Sequence, residues 1–256
     1  MLTYTYCRVA YHNEGAVGAG IKAAGVPREK LFVTTKVVGK RNQDIKAAVD
    51  ASLERLGLEY VDLLLIHVPF LVGSREILQT HWAKLEEAKA AAKAKSIGTS
   101  NFMQEDIETI LQTAKIPPAL NQIEYHPYLQ HANLVEYHKQ HNIAVAAYSS
   151  LAAITAARPG PLDSMYAELA SKYGVTESDV GLRWCLDQGI VTITTSSSEK
   201  RLQGYLDKTF SFQLSPEEVK MMAEVGRQKH YKGPGEGKSA RIQLALEQPV
   251  DGSQIT

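Results

Sequence analysis

The sequence has only two cysteines, Cys7 and Cys185, and no excess of charge of either sign. Two cysteines form neither a disulfide framework nor a metal-ligand cluster, so we interpret both as free thiols in a reducing, cytoplasmic compartment. The 256 residues include 28 basic and 28 acidic side chains, a formal net charge of zero. Because no net field favours nucleic acid or an anionic membrane, the partner we expect is a small molecule.

Long hydrophobic runs are also missing from the sequence. The longest apolar stretch, around Leu63 to Val72, is interrupted by His67 and Pro69, and it is too short to cross a membrane. The first six residues, MLTYTY, offer neither the basic nor the apolar part of a secretion signal. We therefore expect a protein that is neither secreted by such a signal nor inserted in a membrane.

The sequence does contain an alternation of helix-like and strand-like segments. Apolar residues recur at helical spacing over Ile45–Leu56, with Gly57 as a stop, and again over Leu78–Ala88. The segment Ser215–Glu218 supplies an N-cap, a proline at the first helical position and a capping-box glutamate. Between such helices lie seven predicted strands: Leu31–Lys36, Val61–His67, Ser96–Ser100, Ala119–Ile123, Ala144–Ser149, Val191–Thr195 and Phe210–Gln213.

An eighth strand is predicted at the N-terminus, where Leu2–Tyr6 alternates apolar and polar residues. Eight strands alternating with helices favour an α/β fold, a (β/α)8 TIM barrel, as a single domain over residues 1–256. The rival architecture, a doubly wound open sheet, normally has a glycine-rich turn after its first strand. Here Gly15, Gly18 and Gly20 lie in a helical pattern, so the barrel is preferred.

Ionisable side chains lie at the predicted strand ends. Lys36 and His67 close two successive strands, and Tyr11 lies upstream of both. In a barrel the loops after the strands open onto one face, where these three residues can converge as a proton-relay set. Singly, His67 could be a buried structural histidine and Ser100-Asn101 a helix N-cap, but their shared position at strand ends favours a functional site.

Five segments resemble motifs of the aldo-keto reductase superfamily, in the family's order. They are Leu31–Lys36, Asp62–His67, Ile97–Phe102, Asn121–Pro127 and Ala147–Ser149, and the likeness extends from about Tyr11 to about His230. The segment Thr194–Ser197, with Arg183–Leu186 before it and Gln228–His230 after it, is most similar to a fungal branch of carbonyl reductases acting on conjugated polyketones and keto-lactones. The resemblance implies a TIM barrel and an oxidoreductase that reduces aldehydes or ketones with NADPH.

The resemblance also implies catalytic roles. Tyr11 would be the general acid that protonates the carbonyl oxygen, Lys36 would lower the pKa of its phenol, and His67 would orient the carbonyl. A phenol is too weak an acid near neutral pH unless a cation stabilises its phenolate, which is consistent with these roles. No metal is expected, and His138 and His141, on a predicted polar helix face, have no carboxylate arranged beside them.

The cofactor site of the family corresponds to a second set of residues. The implied carboxamide ligands are Ser100, Asn101 and Gln122, the nicotinamide-stacking ring is Tyr148 with Ser149 and Leu151 beside it, and the phosphate ligands are Ser196, Ser198 and Arg201. Thr194 and Thr195 stand where family members commonly have a proline and a lysine, so one cation expected at the adenosine 2′-phosphate is absent. Because Arg201 remains and a guanidinium suits a phosphate, NADPH is predicted in preference to NADH.

Both ends of the sequence depart from the family pattern. Tyr6 stands where the family has an aspartate that pairs with the catalytic lysine, residues 1–10 form an atypical first strand without the leading hairpin, and residues 232–256 match nothing in the family. The leading hypothesis is a monomeric carbonyl reductase acting on a small molecule. The alternative is a catalytically impaired barrel that binds a nucleotide or a protein partner. An unrelated phosphate-binding barrel enzyme is disfavoured because Ser100, Asn101 and Gln122 suit an amide ligand better than a sugar phosphate.

Overall fold

Strands and helices alternate along the chain in the computed structural model, which describes residues 13–233 and the backbone of residues 3–6. The strands are β1 (Thr3–Tyr6), β2 (Leu31–Val37), β3 (Val61–Ile66), β4 (Ala94–Ser100), β5 (Leu120–Glu124), β6 (Ala144–Tyr148) and β7 (Val191–Thr192). The helices are α1 (Glu14–Ala24), α2 (Ile45–Leu56), α3 (Arg75–Ala90), α4 (Gln104–Leu111), α5 (Leu134–Gln140), α6 (Asp163–Tyr173), α7 (Glu177–Leu186), α8 (Glu199–Lys208) and α9 (Pro216–Gly226). The α/β class is confirmed, and within these residues no helix is both long and apolar enough to cross a membrane.

The described residues divide into two compact units. The first comprises the chain up to Ile123 together with Ala132–Ala146. Its strands lie in chain order from β1 to β6, and the pairs from β1 through β5 are parallel. Helical connections between neighbouring strands are what parallel pairing requires. The assignment of residues 1–256 to a single domain stays a prediction.

The core of the first unit is formed by strands that are covered on both faces. Almost every residue of β2 and all of β3 are buried, as is usual for parallel strands under helices. The predicted apolar faces of α2 and α3 pack there, and Trp82 is fully buried. Gly57 ends α2 in the left-handed conformation (φ 65°), which confirms the predicted stop.

The second unit comprises Glu124–His131 and the described residues from Ala147 onward. In it β7 adjoins the end of β6, since the Ile193 N–H donates to the Ala147 carbonyl at 2.8 Å. The fully buried Trp184 stacks on the Tyr125 ring at 5.3 Å between centroids. Burial raises the pKa of the free thiol Cys185 to about 12, which makes it a packing residue without reactivity, while Cys7 lies outside the described residues.

The strand predicted at Phe210–Gln213 is wrong. This segment connects α8 to α9, and the next residue, Leu214, donates its N–H to the Asp187 carboxylate at 2.9 Å. The Phe212 ring packs on Tyr173 with centroids 4.9 Å apart. Phe212 thus packs on a helix residue while Phe210 is exposed, and a side-chain acceptor for the Leu214 N–H takes the place of a strand partner.

Candidate active site

Lys36 is the buried cation at the strand ends of the first unit. It lies on β2, where the β-branched run Val33–Thr35 favours an extended backbone, and only 2% of its surface is exposed. Its Nζ donates to Ser100 Oγ at 2.9 Å and to Gln122 Oε1. The register of β4 and β5 sets Ser100 opposite Gln122, so the parallel pairing itself presents both oxygens to the ammonium group.

The turn after β4 holds the amide side chain of Asn101 in a fixed position. Asn101 has a left-handed backbone (φ 63°), which is uncommon outside glycine, and its N–H donates to the Gln122 carbonyl at 2.8 Å. Its Nδ2 donates to the His67 carbonyl at 3.0 Å and to Ser100 Oγ at 3.2 Å. The N-cap of α4 is Met103, so Ser100-Asn101 does not cap that helix. A strained backbone that is held by several hydrogen bonds is typical of a ligand site.

His67 follows β3 and is also buried. Its N–H donates to the Val37 carbonyl at 2.9 Å, which continues the pairing of β3 with β2 beyond the strand. The structure therefore brings Lys36, His67, Ser100, Asn101 and Gln122 to one edge of the sheet, as the strand-end pattern predicted. Tyr11 lies outside the described residues, so its place at this edge stays a prediction.

The helix behind these strands contains a histidine that was placed wrongly from the sequence. His138 is fully buried, not on a polar face. Its Nδ1 lies 2.5 Å from the Leu134 carbonyl and its Nε2 lies 2.9 Å from Asn121 Nδ2, which fixes the proton on Nδ1. Burial lowers the pKa of His138 and keeps the ring neutral. Asn121 also donates to the Phe102 carbonyl at 2.8 Å, so the pair supports the turn that carries Asn101.

In the second unit, Tyr148 and Ser149 lie at the carboxyl end of β6. Tyr148 is half-buried, and its carbonyl accepts the Tyr125 N–H at 3.2 Å. Ser149 is exposed and, like Asn101, has a left-handed backbone (φ 56°). Leu151 follows in a turn that begins where the Ala152 N–H donates to the Ser149 carbonyl at 2.9 Å. The predicted cofactor residues of this strand end are thus adjacent.

The second unit also brings together the three predicted phosphate ligands. Arg201 Nε donates to Ser196 Oγ at 2.9 Å, and the Ser198 N–H donates to the same hydroxyl at 3.1 Å. Ser198 is the N-cap of α8, whose first turn contains Arg201. A helix N-terminus beside a guanidinium and hydroxyl groups is chemically suited to a phosphate.

The contacts made by the segment after α9 were not predicted from the sequence. Lys229 Nζ donates to the carbonyl oxygens of Ala157 and Pro159 at 2.5 Å and 2.7 Å, and the Gly233 N–H donates to Glu124 Oε1 at 2.8 Å. Short sequence patterns carry no signal for such contacts, because the partners lie far apart in the chain. Among the residues that are described, no group of three His, Cys, Asp or Glu side chains could hold a metal ion.

Comparison with known proteins identifies the family. The Aldo/keto reductase family model matches residues 6–227. A Trypanosoma cruzi 9,11-endoperoxide prostaglandin H2 reductase is 38% identical over 87% of this chain and 77% of its own, and a Schizosaccharomyces pombe NAD/NADP-dependent indole-3-acetaldehyde reductase is 36% identical over 88% and 79%.

Solved structures agree with this result. The Bombyx mori aldo-keto reductase in complex with NADP is 32% identical, with a TM-score of 0.79 over 87% of this chain and 78% of that one. Likeness to solved aldo-keto reductases confirms the predicted fold class, the (β/α)8 TIM barrel. The chain therefore belongs to the aldo/keto reductase family and is an NAD(P)H-dependent oxidoreductase.

Proposed function

We propose that this protein reduces small aldehydes or ketones with NADPH, and that Tyr11 is the general acid. The observation that carries the proposal is the buried ammonium of Lys36, held by Ser100 Oγ and Gln122 Oε1 at the strand ends. A cation in a desolvated site favours the ionised form of a nearby phenol far more strongly than it would in water.

Each residue of the site has a distinct task in this proposal. The bound nicotinamide would supply the hydride, and Ser100, Asn101 and Gln122 would hold its carboxamide by hydrogen bonds. Tyr11 gives its proton to the carbonyl oxygen as negative charge develops there, and Lys36 stabilises the phenolate that remains. His67 orients the carbonyl so that proton and hydride arrive in one geometry.

The residues present are suited to a nicotinamide cofactor. The Asn101 amide is held by the His67 carbonyl and Ser100 Oγ after β4, and Ser149 follows β6 in a left-handed backbone conformation; in family members such strand ends hold the cofactor. Stacking on the half-buried ring of Tyr148 would determine which hydride of the nicotinamide faces the substrate.

Replacement of Tyr11 by phenylalanine tests the general acid. The lost hydroxyl acts only on the developing alkoxide, so kcat should fall by roughly 10²-fold or more while the dissociation constant of NADPH stays nearly unchanged. Absorbance assays of cofactor oxidation over a panel of aldehydes, diketones and keto-lactones measure kcat. Titration of protein fluorescence with NADPH measures the dissociation constant. A Tyr11→Phe enzyme that keeps its rate would move the acid elsewhere, with His67 as the next candidate.

The preference for NADPH over NADH rests on Arg201. Its guanidinium is already oriented by Ser196 at the N-terminus of α8, so it can pair with the adenosine 2′-phosphate with little loss of side-chain freedom. We expect Arg201→Ala to weaken NADPH binding by about 1 to 2 kcal/mol and to leave NADH binding unchanged.

Lys208, in the last turn of the same helix, provides the matched control. Lys208→Ala removes an equal charge from the opposite end of α8 and should change neither affinity. Equal affinities of the parent protein for NADPH and NADH, or an unchanged NADPH affinity in Arg201→Ala, would contradict the proposed preference.

The impaired-barrel alternative rests on Tyr6. The backbone of Tyr6 pairs with Thr34 in β2, two residues before Lys36, in the part of β1 where the family has its aspartate. If the barrel is catalytically impaired because Tyr6 replaces the aspartate, the protein should bind NADPH normally and reduce carbonyl substrates slowly. Cofactor titration and turnover measured on the same sample therefore separate the two functions.

A further inference from the structure

The segment that follows α9 is anchored to two loops of the second unit. We name this segment, Gln228–Gly233, the C-terminal strap. The Tyr231 N–H donates to the Tyr128 carbonyl at 3.2 Å, and the Gly233 N–H donates to Glu124 Oε1 at 2.8 Å. These two contacts hold the strap against the end of β5 and the residues that follow it.

Lys229 connects the strap to the second loop, Ser149–Leu162, which we name the β6 loop. Its Nζ lies 2.5 Å from the Ala157 carbonyl oxygen and 2.7 Å from that of Pro159, and 5.5 Å from the centre of the Tyr128 ring. Ala157 and Pro159 lie outside the helices and strands, so their carbonyl oxygens need partners other than the regular backbone pairing. The β6 loop therefore depends on a side chain from the strap for part of its backbone hydrogen bonding.

The loop is also packed closely at that end. Tyr128 Oη accepts the Leu162 N–H at 3.1 Å, and a Cβ at Gly160 would lie only 2.3 Å from the same oxygen. A side chain at residue 160 would clash with Tyr128, so glycine permits this close approach, and the hydrogen bond from Leu162 ties the loop end to the Tyr128 side chain. The loop residues that Lys229 binds, Ala157 and Pro159, thus lie next to a part of the β6 loop that is packed against Tyr128.

A short series of hydrogen bonds leads from Lys229 to the candidate cofactor residues. Lys229 binds the Ala157 carbonyl, the Ala157 N–H donates to the Ala152 carbonyl at 2.9 Å, and the Ala152 N–H donates to the Ser149 carbonyl at 2.9 Å. Leu151 lies inside this series, and its carbonyl accepts Thr155 Oγ1 at 2.8 Å. Ala157 and the turn that contains Ser149 and Leu151 are therefore connected by consecutive backbone hydrogen bonds.

We propose that Lys229 is a positioning residue for the cofactor: by holding the β6 loop it sets Ser149 and Leu151 in the geometry that binds NADPH. This inference rests on the proposed function, which assigns those two residues to the cofactor site. Lys229 would itself touch neither cofactor nor substrate. Its effect should consequently appear in cofactor affinity and not in the chemical step.

Substitution of Lys229 by methionine tests the proposal. Methionine keeps an unbranched apolar stem beside Tyr128 and removes both charge-assisted hydrogen bonds, so the dissociation constant of NADPH should rise about tenfold. At saturating NADPH, kcat should stay within about twofold of the parent value, because the reacting groups are unchanged. Lys229→Arg, which keeps a donor for each carbonyl, should restore most of the affinity.

Lys220 supplies the matched control, since its side chain on α9 is 78% exposed. Lys220→Met should leave NADPH affinity, kcat and melting temperature unchanged. A merely structural role for Lys229 would lower the melting temperature of Lys229→Met without changing NADPH affinity at a temperature where the variant is folded. That result would overturn the proposal, and so would a loss of affinity that Lys229→Arg does not restore.

A measurement on the parent protein covers the case in which Lys229→Met does not fold. Saturating NADPH should slow hydrogen–deuterium exchange at the amides of Ala152 and Ala157 by about threefold or more, because cofactor binding would fix the loop that contains them. Unchanged exchange at both amides, in a parent protein that binds NADPH, would overturn the positioning role alone. A parent protein that binds no nicotinamide cofactor would instead overturn the proposed function on which it rests.

Discussion

Gly98 allows β5 to approach β4 closely, and its replacement by alanine is the sharpest test of how the site is assembled. A Cβ at this position would lie 2.4 Å from the Leu120 carbonyl oxygen and 2.8 Å from Leu65 Cδ2. Cβ contacts below 3.0 Å essentially do not occur, so the backbone of β5 would have to retreat by at least about 0.6 Å. A side chain end could rotate away, but the Leu120 carbonyl belongs to a paired strand and cannot.

The expected magnitude follows from this displacement. Overpacking of a well-packed core costs about 1 to 3 kcal/mol, and we expect the upper half of that range because the obstacle is backbone. The shift also separates Ser100 from Gln122, the two oxygens that bind Lys36 Nζ. Since misplacement of catalytic groups by about 1 Å can cost roughly 10²-fold in rate, kcat should fall by about tenfold or more.

Denaturant unfolding and steady-state kinetics measure the two effects of Gly98→Ala. Gly20, an exposed residue of α1 with nothing within 4 Å of its hypothetical Cβ, gives the control. Gly20→Ala should raise the free energy of unfolding by about 0.5 to 1 kcal/mol through helix propensity and leave kcat unchanged. Parent-like stability and turnover in Gly98→Ala would refute the argument that this glycine sets the distance between β4 and β5.

Three further predictions concern other parts of the molecule. In Gly181→Ala the new Cβ would lie 3.1 Å from Leu151 Cδ2 and would displace that side chain, so NADPH affinity should fall by a few-fold, about 1 kcal/mol, although helix propensity stabilises α7. A fluorescence titration that shows unchanged affinity contradicts a cofactor role for Leu151. If Tyr6 limits turnover, Tyr6→Asp should raise kcat on a reactive aldehyde by about tenfold or more with little change in NADPH affinity, and an unchanged kcat in a folded variant argues against the impaired-barrel alternative. Asp62 is buried, which by itself raises its pKa, but hydrogen bonds from the Val33 N–H, Lys95 and Arg28 lower the pKa overall. Its stabilising contribution is therefore present above the ordinary carboxyl pKa of about 4 and is lost as the pH falls through the lowered pKa. Asp62→Asn should make the free energy of unfolding, measured by denaturant titration at several acidic pH values, depend less on pH.

Much of the site could be predicted from the sequence because parallel strands impose a simple rule. Residues that close successive strands meet at one edge of the sheet, and Lys36, Ser100 and Gln122 do so with the register that parallel pairing gives. The end of α2 could also be predicted, since Gly57 readily adopts the left-handed backbone conformation that ends this helix. Signals of this kind are local, and a sequence displays them directly.

The features that were missed or misplaced depend on contacts between distant residues. His138 is buried because Asn121 supplies a hydrogen bond that permits an imidazole in the core, and no pattern within α5 indicates that partner. The segment Phe210–Gln213 has strand composition, yet the residue after it, Leu214, donates its N–H to the distant Asp187. The left-handed backbone of Asn101 likewise follows from hydrogen bonds to Gln122 and His67. Propensity alone gives a weak prior at such positions, and tertiary structure overrides it.

The C-terminal strap has a consequence for how this enzyme could be retuned. The family pattern matches up to residue 227, and the contacts of Lys229, Tyr231 and Gly233 begin just beyond it. Exchange of the strap would leave the residues matched by the family model intact and would change the contacts that hold the β6 loop, Tyr128 and Glu124. If Lys229 positions the cofactor as proposed, exchange of the strap would change the residence time of the cofactor and leave the groups that carry out hydride transfer as they are.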